Sequence, residues 1–376
     1  MKITIVDTYY AAFLARFYEA SPELVYKSYD EQLQSLIDAC FGTSDFYSRH
    51  LNKLGCVAND LIVNCEPLQK KWAQDCGLDV SNLALRIPHR MFRLPVLGKF
   101  LANLPGLMEV AVAQIKLTKP DVLYCQDLSF FPPAILRELK NYVKLVVGQI
   151  ASPLPPKDFI REYDLILTSF PHFVTTLREH GVKSEYFKIG FDERVLALLN
   201  SSKKDIAFSF VGGVSRHHEG AIPLMEYLAC HVDSMRFFGY GADRLPKSSI
   251  IRQRHGGEVW GLNMYETLSR SRITLNRHIN VAQNYANNMR LYEATGVGAM
   301  LLTDRKENLQ DLFDVGKEVL AYSSKEEALE FVRYYLDHPS ESEEIAKAGQ
   351  ARTLRDHTYS QRMQELVPML KKYLYQ

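Results

Sequence analysis

Glu293 and Arg290 lie three residues apart in NNMRLYEATGVGAMLLTDRKENLQDLFDVGKEVLAY, residues 287–322. On a helix that spacing puts both side chains on one face. The stretch reads as helix, glycine turn at Gly296 and Gly298, buried strand with an acidic end, short helix, and a further strand opened by Gly316, Lys317 and Glu318. A carboxylate accepts hydrogen bonds from ribose hydroxyls, and a guanidinium fork holds phosphate oxygens. One anion and one cation at the mouth of such a unit therefore suit a ligand that carries both hydroxyls and phosphates. A glutamate near a helix C-terminus is otherwise mildly disfavoured by the helix dipole, which argues against a merely solvated Glu293. Arg290 either reaches a diphosphate or points to solvent.

Further candidates cluster around the same half of the chain. Gly212 and Gly213 end an apolar run and precede a helix, where glycine lets backbone approach a ligand and leaves helix amides free for phosphate. Ser215, Arg216 and His217 follow, and Arg216 is a candidate contact to phosphate or sugar. Trp260, beside Gly261, offers a flat ring for a base or a filler for the core. Asn276 and His278 in LNRHIN stand at a strand end, and Asn288 is either a ligand contact or an ordinary helix cap. In the first half, strand ends carry Asp7, Thr8, Tyr9, Tyr10, Gln126, Asp127 and Gln149. Asp7 and Asp127 are the candidate catalytic bases for an acceptor hydroxyl, needed only if configuration inverts. Tyr9, Tyr10, Gln126 and Gln149 are the candidate acceptor contacts. Either Asp serves equally well as a helix cap.

These residues need a frame. Short apolar runs at 2–6, 56–63, 121–125, 143–148 and 164–168 alternate with helical stretches at 28–40, 45–54, 67–76, 132–140 and 172–180. Continuous apolar strands between helices indicate a parallel sheet covered on both faces. A polar link, GFDERVLALLNSSKK at 190–204, interrupts the pattern, and a second series follows. Its strands are expected at 206–211, 235–238, 273–275 and within 287–322. Its helices are expected at 219–230, 264–269, 325–336, 342–355 and 360–373. The domain boundaries expected are 1–195 for acceptor binding, 196–358 for the nucleotide sugar, and 359–376 as a helix returning to the first domain. The fold class is α/β, with two Rossmann-like domains facing across a cleft.

Composition sets outer limits. With 376 residues the chain is long enough for two domains, and a formal charge of +1 gives no overall field for nucleic acid. Its six cysteines form no CxxC pair, which fits reduced thiols in a cytoplasmic protein. MKITIV opens as a strand without the features of a signal peptide. Residues 85–108 mix Arg86, Arg90, Arg93 and Lys99 with apolar residues and Pro88, Pro95 and Pro105. This segment is either a packed excursion over the sheet or a peripheral contact with a membrane, and the prolines break any long amphipathic helix.

FVGGVSRHH, VWGLNMYETLSRSRITLN, NNMRLYEATGVGAMLLTD, GKEVLAYSSKEEALEFVRYYL and RTLRDHTYSQR resemble the C-terminal half of CgeB-type (spore-protein-like) glycosyltransferases of GT-B fold. KPDVLYCQDLSF and YDLILTSFPHFVTTLREHGV are similar to the N-terminal domain found with them. The resemblance implies a nucleoside-diphosphate sugar held mainly by the second domain and a saccharide, lipid-linked or protein acceptor held by the first. It implies a sugar donor as co-substrate and no cofactor or metal. The chain has no Asp-x-Asp pair of the kind that bridges Mg²⁺ or Mn²⁺. Glu293 matches the family glutamate that accepts from ribose. Many relatives carry another glutamate eight residues earlier. Here that place is Tyr285, so Asn287, Asn288 or backbone amides would contact the sugar. Two other activities remain compatible with this reading: a nucleotide-sugar epimerase, and a protein that binds nucleotide sugars without catalysis.

Overall fold

The computed structural model describes residues 1–78, 105–200, 203–214 and 220–375. Arg216 and nearly all of the segment 85–108 lie outside these residues. The chain divides into two compact units. The first comprises Met1–Thr168, His172–Phe187 and Met363–Gln376, and the second comprises Ser169–Pro171 and Lys188–Arg362.

The first unit is built on a parallel sheet of β1 (Lys2–Asp7), β2 (Val57–Ile62), β3 (Val122–Cys125), β4 (Leu145–Ile150), β5 (Leu165–Thr168) and β6 (Ser184–Tyr186), in the order β2-β1-β3-β4-β5-β6. VLYC and LILT are buried along their whole length, as strands covered on both faces must be. The helix Tyr29–Asp38 starts at a capping box in which Ser28 and Glu31 satisfy each other's backbone amides. The 28–40 stretch read from sequence is therefore this helix. The helix Ala11–Ala20 and strand β6 were not expected. The first follows an aromatic run with no capping side chain, and the second is only three residues long.

The second unit repeats the plan with β7 (Ile206–Val211), β8 (Met235–Phe238), β9 (Ser271–Leu275), β10 (Met300–Asp304) and β11 (Leu320–Tyr322), ordered β11-β10-β9-β7-β8 and parallel throughout. Phe208, Leu228, Met235, Ile273, Leu302 and Val332 form the heart of its core. Each such side chain contributes about 1.5–3 kcal/mol by leaving water. Helices Lys325–Asp337, Pro339–Asp356 and Tyr359–Leu374 follow the sheet. Where the chain enters and leaves this unit, the two passages are joined. Phe191 N–H donates to His357 O, Tyr359 N–H to Phe191 O, and the buried Arg362 to Ile189 O.

Counted within each unit, both sheets begin in the order 2-1-3-4-5. In such doubly wound sheets the crevice opens where the winding reverses, between strands 1 and 3. That point lies between β1 and β3 in the first unit and between β7 and β9 in the second.

Candidate functional site

In the first unit the reversal point is acidic. Asp7 ends β1, and Gln126 and Asp127 follow β3 directly. Thr8 Oγ1 donates to Asp127 Oδ2 at 2.9 Å, and Thr8 N–H donates to Asp7 Oδ1 at 2.8 Å. Thr43 Oγ1 lies 2.8 Å from Gln126 Oε1 and 3.4 Å from Asp7 Oδ2. A single hydroxyl proton cannot serve both acceptors, so a protonated Asp7 fits this chain of contacts best. Burial, reinforced by the charge of Asp127, pushes Asp7 up to about 7. Asp60, bonded to Ser48 Oγ, is likewise raised by burial to about 8. Gln149 is held by the hydroxyls of Tyr47 (3.1 Å) and Tyr124 (2.6 Å), which both donate to its Oε1 and leave its amide nitrogen to donate. Tyr9 is 3% exposed, against Phe13 and Phe41, whereas Tyr10 is 54% exposed. The sheet thus brings Asp7, Gln126 and Asp127 together and places the Tyr9 ring in the core.

In the second unit, Glu293 lies on the helix Met289–Gly296, which Asn288 caps by accepting from Leu291 N–H. Glu293 is 5% exposed. Its Oε2 is 2.8 Å from Arg290 Nη1, and the buried Tyr265 hydroxyl donates to the same carboxylate. Burial raises its pKa above the ordinary carboxylate value, against the pull of Arg290 and of Tyr265. Arg290 Nη1 also meets Met264 Sδ at 3.1 Å. The arginine expected at a diphosphate thus has Glu293 as its partner here.

Asn276, just beyond β9, is locked to Asn288. Asn288 Nδ2 donates to Asn276 Oδ1 at 2.9 Å, and Asn276 Nδ2 donates to Thr303 Oγ1 at 3.0 Å. His278 Nδ1 is 2.7 Å from Asp304 Oδ1, and the His278 backbone N–H donates to the same oxygen at 3.0 Å. Although burial opposes it, the bond from His278 and the nearby Lys306 hold Asp304 down at about 2.

Gly212 and Gly213 belong to a tight group of loops. Gly212 N–H donates to Phe238 O, Val214 N–H to Tyr240 O, and Gly239 N–H to Gly257 O. A Cβ on Gly213 would come within 2.2 Å of the Tyr240 ring, and one on Gly239 within 2.2 Å of Gly212 O. Tyr240 stacks on Trp260, with ring centroids 5.3 Å apart and planes 9° from parallel. Tyr240 and Tyr265 were not anticipated from sequence. Nothing in the local pattern separates them from core tyrosines, and their partners lie far along the chain.

With this geometry in place, the comparisons fall on the same region. A family model described as Glycosyl transferase-like matches residues 193–368. This stretch is similar to that family. Solved structures similar to the whole chain include Anabaena Alr3699/HepE in complex with UDP-glucose, at 12% identity and TM-score 0.58 over 99% of this chain and 100% of that one. Sucrose-phosphate synthase from Thermosynechococcus elongatus aligns at 11% identity and TM-score 0.59, covering 98% of each chain. A glycosyltransferase from Rickettsia africae ESF-5 aligns at 12% identity and TM-score 0.56, over 99% of this chain and 98% of that one. No curated protein matches the chain. At these identities the likeness establishes the fold, which is GT-B, and the stretch that the family model matches lies in its second half. Among the described residues no helix is long and apolar enough to cross a membrane, and all six cysteines are unpaired.

Proposed function

We propose that this chain is a cytoplasmic glycosyltransferase that draws a sugar from a nucleoside-diphosphate donor bound by the second unit. One observation carries the proposal: Glu293, buried, paired to Arg290 and bonded by Tyr265 beside the Asn288-capped helix start. The ion pair keeps a desolvated carboxylate available to accept from both ribose hydroxyls. Arg290 acts through Glu293, as a positioning residue. The Tyr240–Trp260 stack offers a flat face for the base. Asn276 and Asn288, fixed against each other, present the polar edge for the sugar.

The acceptor belongs to the first unit. Asp7, near 7 and bracketed by Thr8 and Thr43, has the acidity of a general base that works at neutral pH. Burial sets that acidity, and the charge of Asp127 adds to it. Gln126, Gln149 and the exposed Tyr10 are acceptor contacts in this reading. Transfer in this reading needs no bridging metal, because cationic side chains stabilise the leaving diphosphate. The motifs quoted above place the chain with CgeB-type enzymes in this proposal.

The family description and the Rickettsia africae neighbour both name glycosyl transfer, which favours transfer over epimerisation. The Anabaena neighbour was solved with UDP-glucose, so uridine is the first base to test. The experiment is a thermal-shift screen against nucleoside diphosphates and their sugars, with and without EDTA. A ligand that binds only the folded state raises the melting temperature by mass action. A shift with one base, unchanged by EDTA, supports the proposal. No shift with any of them overturns the donor site, and a shift abolished by EDTA overturns metal independence.

A further inference from the structure

A diphosphate needs cations or free amide protons, and Arg290 is engaged with Glu293 and Met264. We propose that Arg277 is the arm that holds the donor's diphosphate, with Asn276 and His278 positioning it. The inference rests on the nucleotide-sugar reading of the second unit and adds the residue that discriminates a diphosphate from a bare nucleoside.

Arg277 follows β9 by two residues, at the β7/β9 reversal point where open α/β sheets take their ligands. Both of its neighbours are pinned. Asn276 N–H donates to Leu302 O, its carbonyl accepts from Tyr322 Oη at 3.2 Å, and its amide joins Asn288 and Thr303. His278 is tied to Asp304 Oδ1 through both its backbone N–H and Nδ1. The turn is therefore rigid, and the Arg277 side chain is its uncommitted member.

Arg277 is half-buried, and among the described residues no carboxylate or carbonyl holds its guanidinium. Other half-buried arginines of this unit do have partners: Arg272 donates to Leu336 O and Arg352 to Leu312 O. A Cβ on Gly220, in the segment after β7, would lie 3.4 Å from Arg277 Nη2 and 3.2 Å from Asn280 Oδ1. Glycine at 220 thus keeps a side chain out of the space beside the guanidinium. One residue on, His278 is enclosed, and its Nε2 has no hydrogen-bond partner among the described residues. A half-buried guanidinium without a protein partner, beside a position that Gly220 keeps clear, is a donor that an anion would complete.

The test is calorimetric titration of the wild type, Arg277→Met and Arg277→Lys with UDP, UMP and uridine. The wild type should bind UDP more tightly than uridine. Arg277→Met should weaken UDP by about 10- to 100-fold and leave uridine unchanged, since a charge-assisted bond to phosphate is lost and nothing else. Arg277→Lys should recover part of the loss. Equal UDP affinity in the wild type and Arg277→Met overturns this inference alone. A wild type that binds none of the three overturns a uridine donor, and this inference with it.

Discussion

Arg290 Nη1 and Glu293 Oε2 are 2.8 Å apart, one helical turn from each other, with the carboxylate almost entirely withdrawn from solvent. The pair is poorly suited to be a stability device, since desolvating two charges offsets much of their attraction. It is well suited to hold one carboxylate ionised in a fixed direction.

Removing the cation should therefore alter binding through acidity. In Arg290→Met, burial acts on Glu293 without its counter-charge, and the carboxyl rises further. UDP affinity of that variant should fall more steeply than that of the wild type as pH is lowered, because protonated Glu293 accepts fewer bonds. Parallel pH profiles in the two proteins would show that Arg290 does not act through Glu293.

Asp7 links stability to pH. Its folded acidity lies near 7, above the ordinary 3.8, so the folded state holds this proton more tightly than the unfolded chain. The stabilisation it supplies is complete below about pH 4 and is lost as pH rises through 7. Asp7→Asn removes that loss, and the variant should be more stable than the wild type at pH 8 by roughly 1–3 kcal/mol in urea unfolding. Transfer should fall in the same variant if Asp7 is the base.

His357 has the opposite sign. Burial, aided by the neighbouring Arg362, lowers it to about 4 from 6.5, while its bond to Leu312 O opposes the shift. The folded state prefers neutral imidazole, with Nδ1 accepting from Arg362 at 2.9 Å. Stability is full above pH 6.5 and declines toward pH 4 by up to about 3 kcal/mol. Because this residue joins the entry and exit passages of the second unit, that unit should unfold first on acidification. Hydrogen exchange at pH 7 and pH 5 measures the difference.

The aromatic stack gives a packing test. Trp260→Ala should weaken UDP binding by about 0.5–1.5 kcal/mol. Gly213→Ala drives a Cβ into the Tyr240 ring and should lower stability by about 1–3 kcal/mol, as overpacking does, while disturbing the same stack. Unchanged UDP affinity in both variants would remove the stack from the base site.

Much of this was legible from local pattern. Residues 287–322 announce helix, turn and strand because glycines punctuate apolar runs, and the structure has the helix Met289–Gly296, a left-handed Gly298, β10 and β11 in that order. Asp7, Gln126 and Asp127 were legible as strand ends, which one sheet gathers at its reversal point. Partners chosen by the tertiary fold were not. Thr43 reaches Asp7 across 36 positions, and Asp304 reaches His278 across 26. Tyr265 reaches Glu293 from another helix. No periodicity encodes such pairs, whereas the contact between Arg290 and Glu293 is the i,i+3 neighbour that helix spacing already offers.

The central claim is that Glu293 receives the ribose of a nucleotide donor, and its most direct test is calorimetric titration of the wild type and Glu293→Gln with UDP-glucose. The account predicts saturable binding by the wild type and an affinity about 10- to 100-fold lower in the variant, with its fold and melting behaviour retained. Equal affinity in the two proteins would contradict it.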